Sequence, residues 1–409
     1  MAFVYQNHDL VWQTSQHAPR KIAEWLESVS RPLYLYDLND IDERVDRFQQ
    51  AFSNQAEIHY ALKANNHPEI LKLFLSKGAG IDVVSGGELQ WALSLGFKAQ
   101  DVVFSGVAKT EDELDLAISQ QVGQINIESP QELQRVAERA KALKKKARVA
   151  FRMNPDVDPV THPYIKTGFR ENKFGLAPES IPELLEIIDR QKQTVVLCGL
   201  SIHIGSQLRD LGATLDAVRK LKSLCLQLLS QGYQLETMDV GGGLGIDYHA
   251  FPSIEEWNLM ASYGQQVYEL VQDVPLRLLT EPGRILVARS GLLLTQVQYV
   301  KKTAYKNFAI VNTGMHHLLR PALYQAYHRI LPLQETAGDT LYDVVGPICE
   351  SSDVLGFDRH LPSLNPGDWL AIADAGAYGR TMWSDYNMHP RPHEWCIRDG
   401  ELIKDATHM

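Results

Sequence analysis

The chain has 409 residues, 44% hydrophobic and 22% charged, a composition that excludes a disordered protein and suffices for two domains or for one large barrel with an added domain. Fifty acidic against forty basic side chains leave a formal net charge of -10, which argues against nucleic acid or another polyphosphate as a partner. Cys198, Cys225, Cys349 and Cys396 stand far apart without a Cys-x-x-Cys pair, and no histidine cluster has metal-ligand spacing, so neither a disulfide framework nor a metal site is expected.

In chain order, Met1 to Arg20 is polar and lacks the apolar core of a signal peptide. No later stretch is long and apolar enough for a bilayer, so a cytoplasmic location with reduced thiols and no membrane partner is expected. Leu10-Val11-Trp12 and a helix over Pro19 to Ser28 come first, and are expected to pack on a later β domain. Between about residues 57 and 281, short apolar, β-rich runs alternate with segments of helical period. The eight runs are Glu57 to Leu62, Gly80 to Val84, Val102 to Phe104, Gln124 to Ile127, Arg148 to Met153, Val195 to Ile202, Thr237 to Val240 and Leu276 to Thr280. Helices are predicted over Glu111 to Ser119, Ile181 to Arg190, Leu211 to Leu229 and Ile254 to Val271. Ser129-Pro130-Gln131-Glu132 reads as a capping box, and Lys144-Lys145-Lys146 as the solvated last turn of the helix it opens rather than a binding patch. Beyond Arg284 the texture becomes strand-like: Gly291 to Val300, Asn307 to Asn312, Tyr342 to Val345 and Trp369 to Ala373, with turns such as Asn365-Pro366-Gly367-Asp368.

Eight parallel strands with helical crossovers predict a (β/α)8 barrel of the α/β class over residues 30–285, with 1–29 and 286–409 forming a mostly β domain. An open doubly wound sheet is the competing architecture. Residue placement favours the barrel: Lys63, Ser85, His203, Gly241 and Glu281 follow strands one, two, six, seven and eight, and barrels place their chemistry on that face.

Lys63, Glu281, Gly241-Gly242-Gly243 and Arg284 supply the parts of a pyridoxal 5'-phosphate (PLP) site: an amine for the aldehyde, a carboxylate for the pyridinium nitrogen, and amides with a cation for the phosphate. Singly, each has an ordinary reading. Most lysines are solvated, glycines make turns, and a glutamate before a proline can open a helix. Their shared position after successive strands is the signal. The glycine run lacks the lysine and hydroxyl of a P-loop and the spacing of a dinucleotide turn.

A longer set of motifs carries a resemblance. Tyr60-Ala61-Leu62-Lys63-Ala64-Asn65, Asp82-Val83-Val84-Ser85-Gly86-Gly87-Glu88-Leu89, His203-Ile204-Gly205-Ser206-Gln207, Glu281-Pro282-Gly283-Arg284, Arg320-Pro321-Ala322-Leu323-Tyr324, Gly346-Pro347-Ile348-Cys349-Glu350-Ser351 and Ala375-Gly376-Ala377-Tyr378-Gly379 resemble the diaminopimelate decarboxylase family of fold type III PLP enzymes. The most selective pieces are His162-Pro163-Tyr164-Ile165-Lys166-Thr167-Gly168 with Asn172-Lys173-Phe174-Gly175, and the Cys349-Glu350 pair. The resemblance implies decarboxylation of meso-2,6-diaminopimelate to L-lysine and CO2 by a homodimer with active sites at its interface. It implies that Lys63 holds PLP, that His203 stacks on the ring, and that Ser206, Gly241 to Gly243, Gly283, Arg284 and Tyr378 surround the phosphate. Cys349, reaching across the interface, would return a proton to the substrate carbon. Glu350 would bind the distal ammonium, and Arg320 with Tyr324 the distal carboxylate, Arg284 and Tyr378 also touching substrate.

Asn312, His317 and Gln325 depart from the family pattern near the Arg320 segment, and Trp383 is bulkier than its usual counterpart. They leave open a related diamino acid, or a conjugate of one from a siderophore or antibiotic pathway, as substrate. An amino-acid racemase and a non-enzymatic PLP carrier are further alternatives. The Cys349-Glu350 pair speaks against the first and the long β domain against the second.

Overall fold

The computed structural model describes residues 3–27, 29–157 and 173–404. The chain divides into two compact units, one of residues 45–246 and 254–283, the other of residues 1–44, 247–253 and 284–409.

The first unit is a closed barrel of eight parallel strands in sequence order: Ala56–Ala61, Gly80–Val83, Val102–Phe104, Gln124–Ile127, Ala147–Met153, Val195–Ile202, Thr237–Asp239 and Arg277–Thr280. The eighth returns to the first through Leu278 opposite Ala56. All eight predicted runs are present, most within a residue of their expected ends. They read as short, largely apolar runs because both strand faces are buried, one in the barrel and one under helices. The interior also holds a polar layer, in which Thr237 Oγ1 donates to Gln124 Oε1 (2.8 Å), Gln124 Nε2 to Asn126 Oδ1 (2.9 Å) and Asn126 Nδ2 to Ser105 Oγ (3.0 Å). Each donor has an acceptor, so the layer orders the interior without an unmet desolvation cost.

Helices start where their caps dictate. Thr110 and Glu113 form a reciprocal box at the head of Glu111–Gln120. At the head of Pro130–Ala142 the expected box is half made: Ser129 Oγ accepts from Glu132 N, but the Glu132 carboxylate bonds the Glu128 amide (2.7 Å) and Lys109 Nζ (2.8 Å) instead. Lys144-Lys145-Lys146 lies beyond that helix rather than in its last turn. The helix ends at Ala142, and Lys144 takes a left-handed conformation (φ 54°) that turns the chain toward the next strand.

The second unit is built on a sheet of seven strands in the order Val354–Leu361, Thr340–Val345, Asn307–Val311, Gly291–Lys302, Leu33–Asp37, His393–Arg398 and Glu401–Ile403. Trp369–Ile372 pairs off it with Gly291–Lys302 and with Ile330–Pro332. Phe3–Gln6, Asp9–Trp12 and Arg20–Lys21 form a small separate sheet. The predicted helix over Pro19 to Ser28 is absent over its described part: Arg20–Lys21 is strand and Ile22–Trp25 a single 3-10 turn. Burial explains the difference, because the turn inserts Ile22 and Trp25 into a core with Leu10, Trp12, Leu33, Leu35, Leu292 and Leu294. Each such buried side chain is worth roughly 1.5–3 kcal/mol, more than the propensity of a short polar helix supplies. Ser28 itself, and the His162 to Gly168 motif with Asn172, lie outside the described residues.

Candidate active site

In the barrel unit, Lys63 sits in the 3-10 turn Leu62–Ala64 directly after the first strand, and its Nζ lies 2.5 Å from Asp82 Oδ2 at the end of the second. Asp82 is fully buried, and two further buried acids, Asp239 and Glu281, end the seventh strand and follow the eighth. Burial pushes the Asp239 carboxyl up to about 6. Glu281 rises well above the usual carboxylate range, through burial first and then through the charges of Asp239 and Asp82, against the opposing pull of Lys63. Glu281 therefore keeps its proton more readily than an ordinary carboxyl. Its Oε1 and Asp82 Oδ1 are buried without a hydrogen-bond partner among the described residues.

His203, after the sixth strand, is held neutral by burial and by the positive charges of Arg152 and Lys63. The Gly242 N–H points at its Nδ1 (3.4 Å), which leaves the ring proton to Nε2. The glycine run is sterically enforced. A Cβ at Gly241 would lie 2.2 Å from Ile202 O, one at Gly242 2.0 Å from Glu281 O, and one at Gly243 2.4 Å from Gly205 O. Gly241 and Gly243 also have φ of 66° and 109°. The Gly241 N–H is committed to Asp239 Oδ1 (2.8 Å); Gly243, partly exposed, is the member whose N–H has no acceptor among the described residues. Leu208 N donating to Gly243 O and Gly245 N to Leu208 O (both 2.9 Å) tie this loop to the one bearing Ser206. Lys63, His203, Glu281, Arg152, Phe174, Ser105 and Asn126 line one cavity of about 430 Å³. Arg152 is itself fixed by Glu128 (2.7 Å), whose other oxygen accepts the Gly175 amide (2.6 Å).

The barrel residues fit PLP. Lys63 pairs with the buried Asp82 and acts on the buried Glu281, Asp239 lies beside Glu281, and an orphaned buried oxygen of the Glu281 carboxyl would meet the ring nitrogen of a pyridinium. Gly283 is buried next to them in sequence.

In the second unit, Arg284 Nη1 donates to Tyr248 Oη (2.7 Å) and its guanidinium lies over the Tyr378 ring at 4.7 Å. Arg320 heads the one-turn helix Arg320–Tyr324, and its guanidinium lies 4.3 Å over Tyr248 while Nη1 is 2.6 Å from His328 Nε2. Tyr248 is set by a neighbouring network: Arg289 donates to Asp247 O and Ala250 O on either side of it, and Asp374 pairs with both Arg289 (3.1 Å) and Arg329 (2.9 Å). Tyr378 holds φ at 54°, an uncommon backbone for a non-glycine residue.

Cys349 and Glu350 are exposed neighbours on the loop after Thr340–Val345. Asp353 anchors that loop by accepting Ile348 N (2.7 Å) and Met315 N (2.5 Å). Tyr386 Oη donates to Glu350 Oε1 (2.6 Å) and Asn387 Oδ1 faces Cys349 N (3.4 Å). The departures from the family pattern serve the fold. Asn312 Oδ1 accepts Thr295 Oγ1 and Gln296 N, and His317 spans Thr313 Oγ1 (2.8 Å) and Pro390 O (3.0 Å). Gln325 ends its helix at φ 52°, at a cost of about 1 kcal/mol that glycine would avoid. Trp383 stacks under Arg380 and Arg391.

Asp82, Asp239, Tyr248, His328 and Tyr386 were not singled out from the sequence. The first two carried a usable signal, a lone acid inside an apolar strand run; nothing local distinguishes the other three.

A closed parallel barrel with a lysine and buried acids at its strand ends, joined in one chain to a mostly β unit, is the architecture of a fold type III PLP enzyme. The chain belongs to the pyridoxal-dependent decarboxylase family, whose pyridoxal-binding-domain model matches residues 38–288. Within it the likeness is to diaminopimelate decarboxylases. The Aquifex aeolicus enzyme is 40% identical over 93% of this chain and 90% of its own. Diaminopimelate decarboxylase of Helicobacter pylori complexed with L-lysine superposes with a TM-score of 0.87 at 40% identity, covering 93% of this chain and 95% of that one. The diaminopimelate decarboxylase of M. jannaschii, in co-complex with L-lysine, gives a TM-score of 0.89 at 33% identity, covering 98% of this chain and 94% of that one.

Proposed function

We propose that the chain acts as a homodimer that decarboxylates meso-2,6-diaminopimelate at its D centre, releasing L-lysine and CO2. The observation that carries this reading is the identity to diaminopimelate decarboxylases over more than nine-tenths of the chain, spanning the Lys63, Arg320 and Cys349-Glu350 segments together.

Bound PLP supplies an aldehyde that captures the substrate amine and a ring that takes up the electron pair left by the departing carboxylate. The chain supplies the rest. Lys63 is the amine that holds the aldehyde between turnovers, with Asp82 Oδ2 at 2.5 Å to orient Nζ. Glu281, whose carboxyl burial pushes well above its ordinary range, would share the proton that the ring nitrogen requires. His203 offers a neutral face to the ring, so it adds no charge that would compete with Glu281. The Gly243 amide, Ser206, Gly283, Arg284 and Tyr378 are assigned to the phosphate, Gly241 and Gly242 shaping the turn that presents it. Arg284 and Tyr378 extend to the substrate. Arg320 and Tyr324 take its distal carboxylate and Glu350 its distal ammonium. Cys349, supplied across the dimer interface, returns the proton; its exposure is what that role requires.

The test is amino-acid product analysis after PLP-loaded protein is incubated with meso-diaminopimelate, with CO2 release from ornithine and arginine measured in parallel. L-lysine with one equivalent of CO2, from the first substrate alone, is the expected result. Release from ornithine or arginine at a comparable rate would overturn the assignment.

A further inference from the structure

Among the buried guanidiniums of the second unit, those of Arg284, Arg289, Arg320 and Arg329 are held in different ways. Arg289 and Arg329 share the Asp374 carboxylate, so each structural arginine has an ion-pair partner. Arg320 does not. It is 6% exposed, and among the described residues no carboxylate pairs with it. Its hydrogen-bond partner is the fully buried His328.

The protons on that imidazole are fixed by what surrounds it. Nδ1 lies 2.8 Å from Ala373 O, and a carbonyl oxygen only accepts, so Nδ1 carries the hydrogen. Nε2 lies 2.6 Å from Arg320 Nη1, and a guanidinium only donates, so Nε2 is a bare acceptor. The imidazole is thus neutral, and protonating it would place a second cation against the guanidinium. Burial and the Arg320 charge both hold it far from protonation.

We infer that His328 is a positioning residue that fixes Arg320 without neutralising it, so that the full guanidinium charge is kept for the carboxylate at the far end of the substrate. Burying a cation without a counter-ion costs several kcal/mol, and a fold that needed Arg320 only for structure would place a carboxylate there, as it does beside Arg329. The Tyr248 ring 4.3 Å beneath and the His328 acceptor leave its remaining N–H groups for a ligand anion. The inference rests on the substrate reading above and names the group that makes its carboxylate end selective.

The experiment compares inhibition by L-lysine, which keeps that carboxylate, with inhibition by 1,5-diaminopentane, which lacks it, in the PLP-loaded wild type and in His328→Gln, His328→Ala and His328→Glu. Glutamate at 328 would pair with Arg320 and cancel its charge. The L-lysine inhibition constant and the KM for meso-diaminopimelate should then rise roughly ten- to a hundredfold, the worth of a charge-assisted bond, while diaminopentane inhibition stays within about twofold. His328→Gln keeps an acceptor and should retain the L-lysine preference better than His328→Ala. Should His328→Glu not fold, the Gln and Ala variants decide by that ordering. Equal shifts for both inhibitors, or a lysine preference untouched in both His328→Ala and His328→Glu, would overturn the inference. A wild type that releases no CO2 from meso-diaminopimelate would instead overturn the substrate reading, and the ratio of L-lysine to diaminopentane affinity, read directly from the change each ligand makes in the absorbance of the bound PLP, would still report on His328.

Discussion

The barrel mouth and the arginine cluster of the β unit carry excess charge of opposite sign, and they tolerate it differently. Around Lys63, the acids Asp82, Asp239 and Glu281 are buried together, and the repulsion is eased because burial and the neighbouring acids raise the Glu281 carboxyl well above its ordinary range, favouring its protonated form. Arg284 and Arg320 have no such outlet, because a guanidinium does not deprotonate in a protein, so they are steadied by Tyr248, Tyr378 and a neutral histidine instead. The acidic site can therefore change charge with pH or on binding a pyridinium, whereas the basic one is a fixed anion receptor.

Replacing Lys63 with alanine should break the acidic side most severely, abolishing both turnover and the visible absorbance of protein-bound PLP; retention of both would end the assignment. Glu281→Gln should cost at least about a hundredfold in kcat, as loss of a proton-handling group does, while leaving PLP bound. It carries a second signature. A carboxyl whose folded pKa is raised loses stability as pH climbs from its unfolded value through the folded one, so ligand-free Glu281→Gln should show a flatter stability profile than wild type as pH rises above the ordinary carboxyl value of 4.5. On the basic side, Tyr248→Phe deletes the oxygen that accepts from Arg284 and should weaken PLP about tenfold, with no change in that pH profile. Tyr386→Phe, which frees Glu350, should raise KM for meso-diaminopimelate a few-fold with kcat nearly constant. The smallest effect concerns His316, buried, with both ring nitrogens lacking partners among the described residues and its pKa lowered by burial to about 4. Below pH 6.5 the unfolded chain binds this proton and the folded one does not, so stability falls from pH 6.5 toward 4 by up to about 1.4 kcal/mol per unit. His316→Asn should reduce that slope in denaturant titrations.

The barrel was legible because parallel strands buried on both faces leave apolar runs separated by capped helices, and each run ends where a pleated strand must stop. Lys63, Glu281 and the glycine run could be read from their places after those runs. The β unit was less legible. Leu33–Asp37 lies near the start of the chain and pairs with strands near its end, so no local period announces it. Tyr248 belongs to that unit although it sits between the seventh and eighth barrel strands in sequence, and only the tertiary fold shows it. His328 follows Arg320 by eight residues across a left-handed turn at Gln325, a spacing that matches neither helix nor strand.

The strand Leu33–Asp37 is flanked on one side by Gly291–Lys302 and on the other, in parallel, by His393–Arg398. During synthesis it must wait for most of the polypeptide before either neighbour exists, a loop closure whose entropy falls on the slowest part of folding. A nascent chain can complete the barrel while this segment stays open-edged, so removing the last ten or so described residues would strip a neighbour from a central strand. Such a trimmed variant would be expected to aggregate through the bared edge of Leu33–Asp37 rather than simply lose a tail.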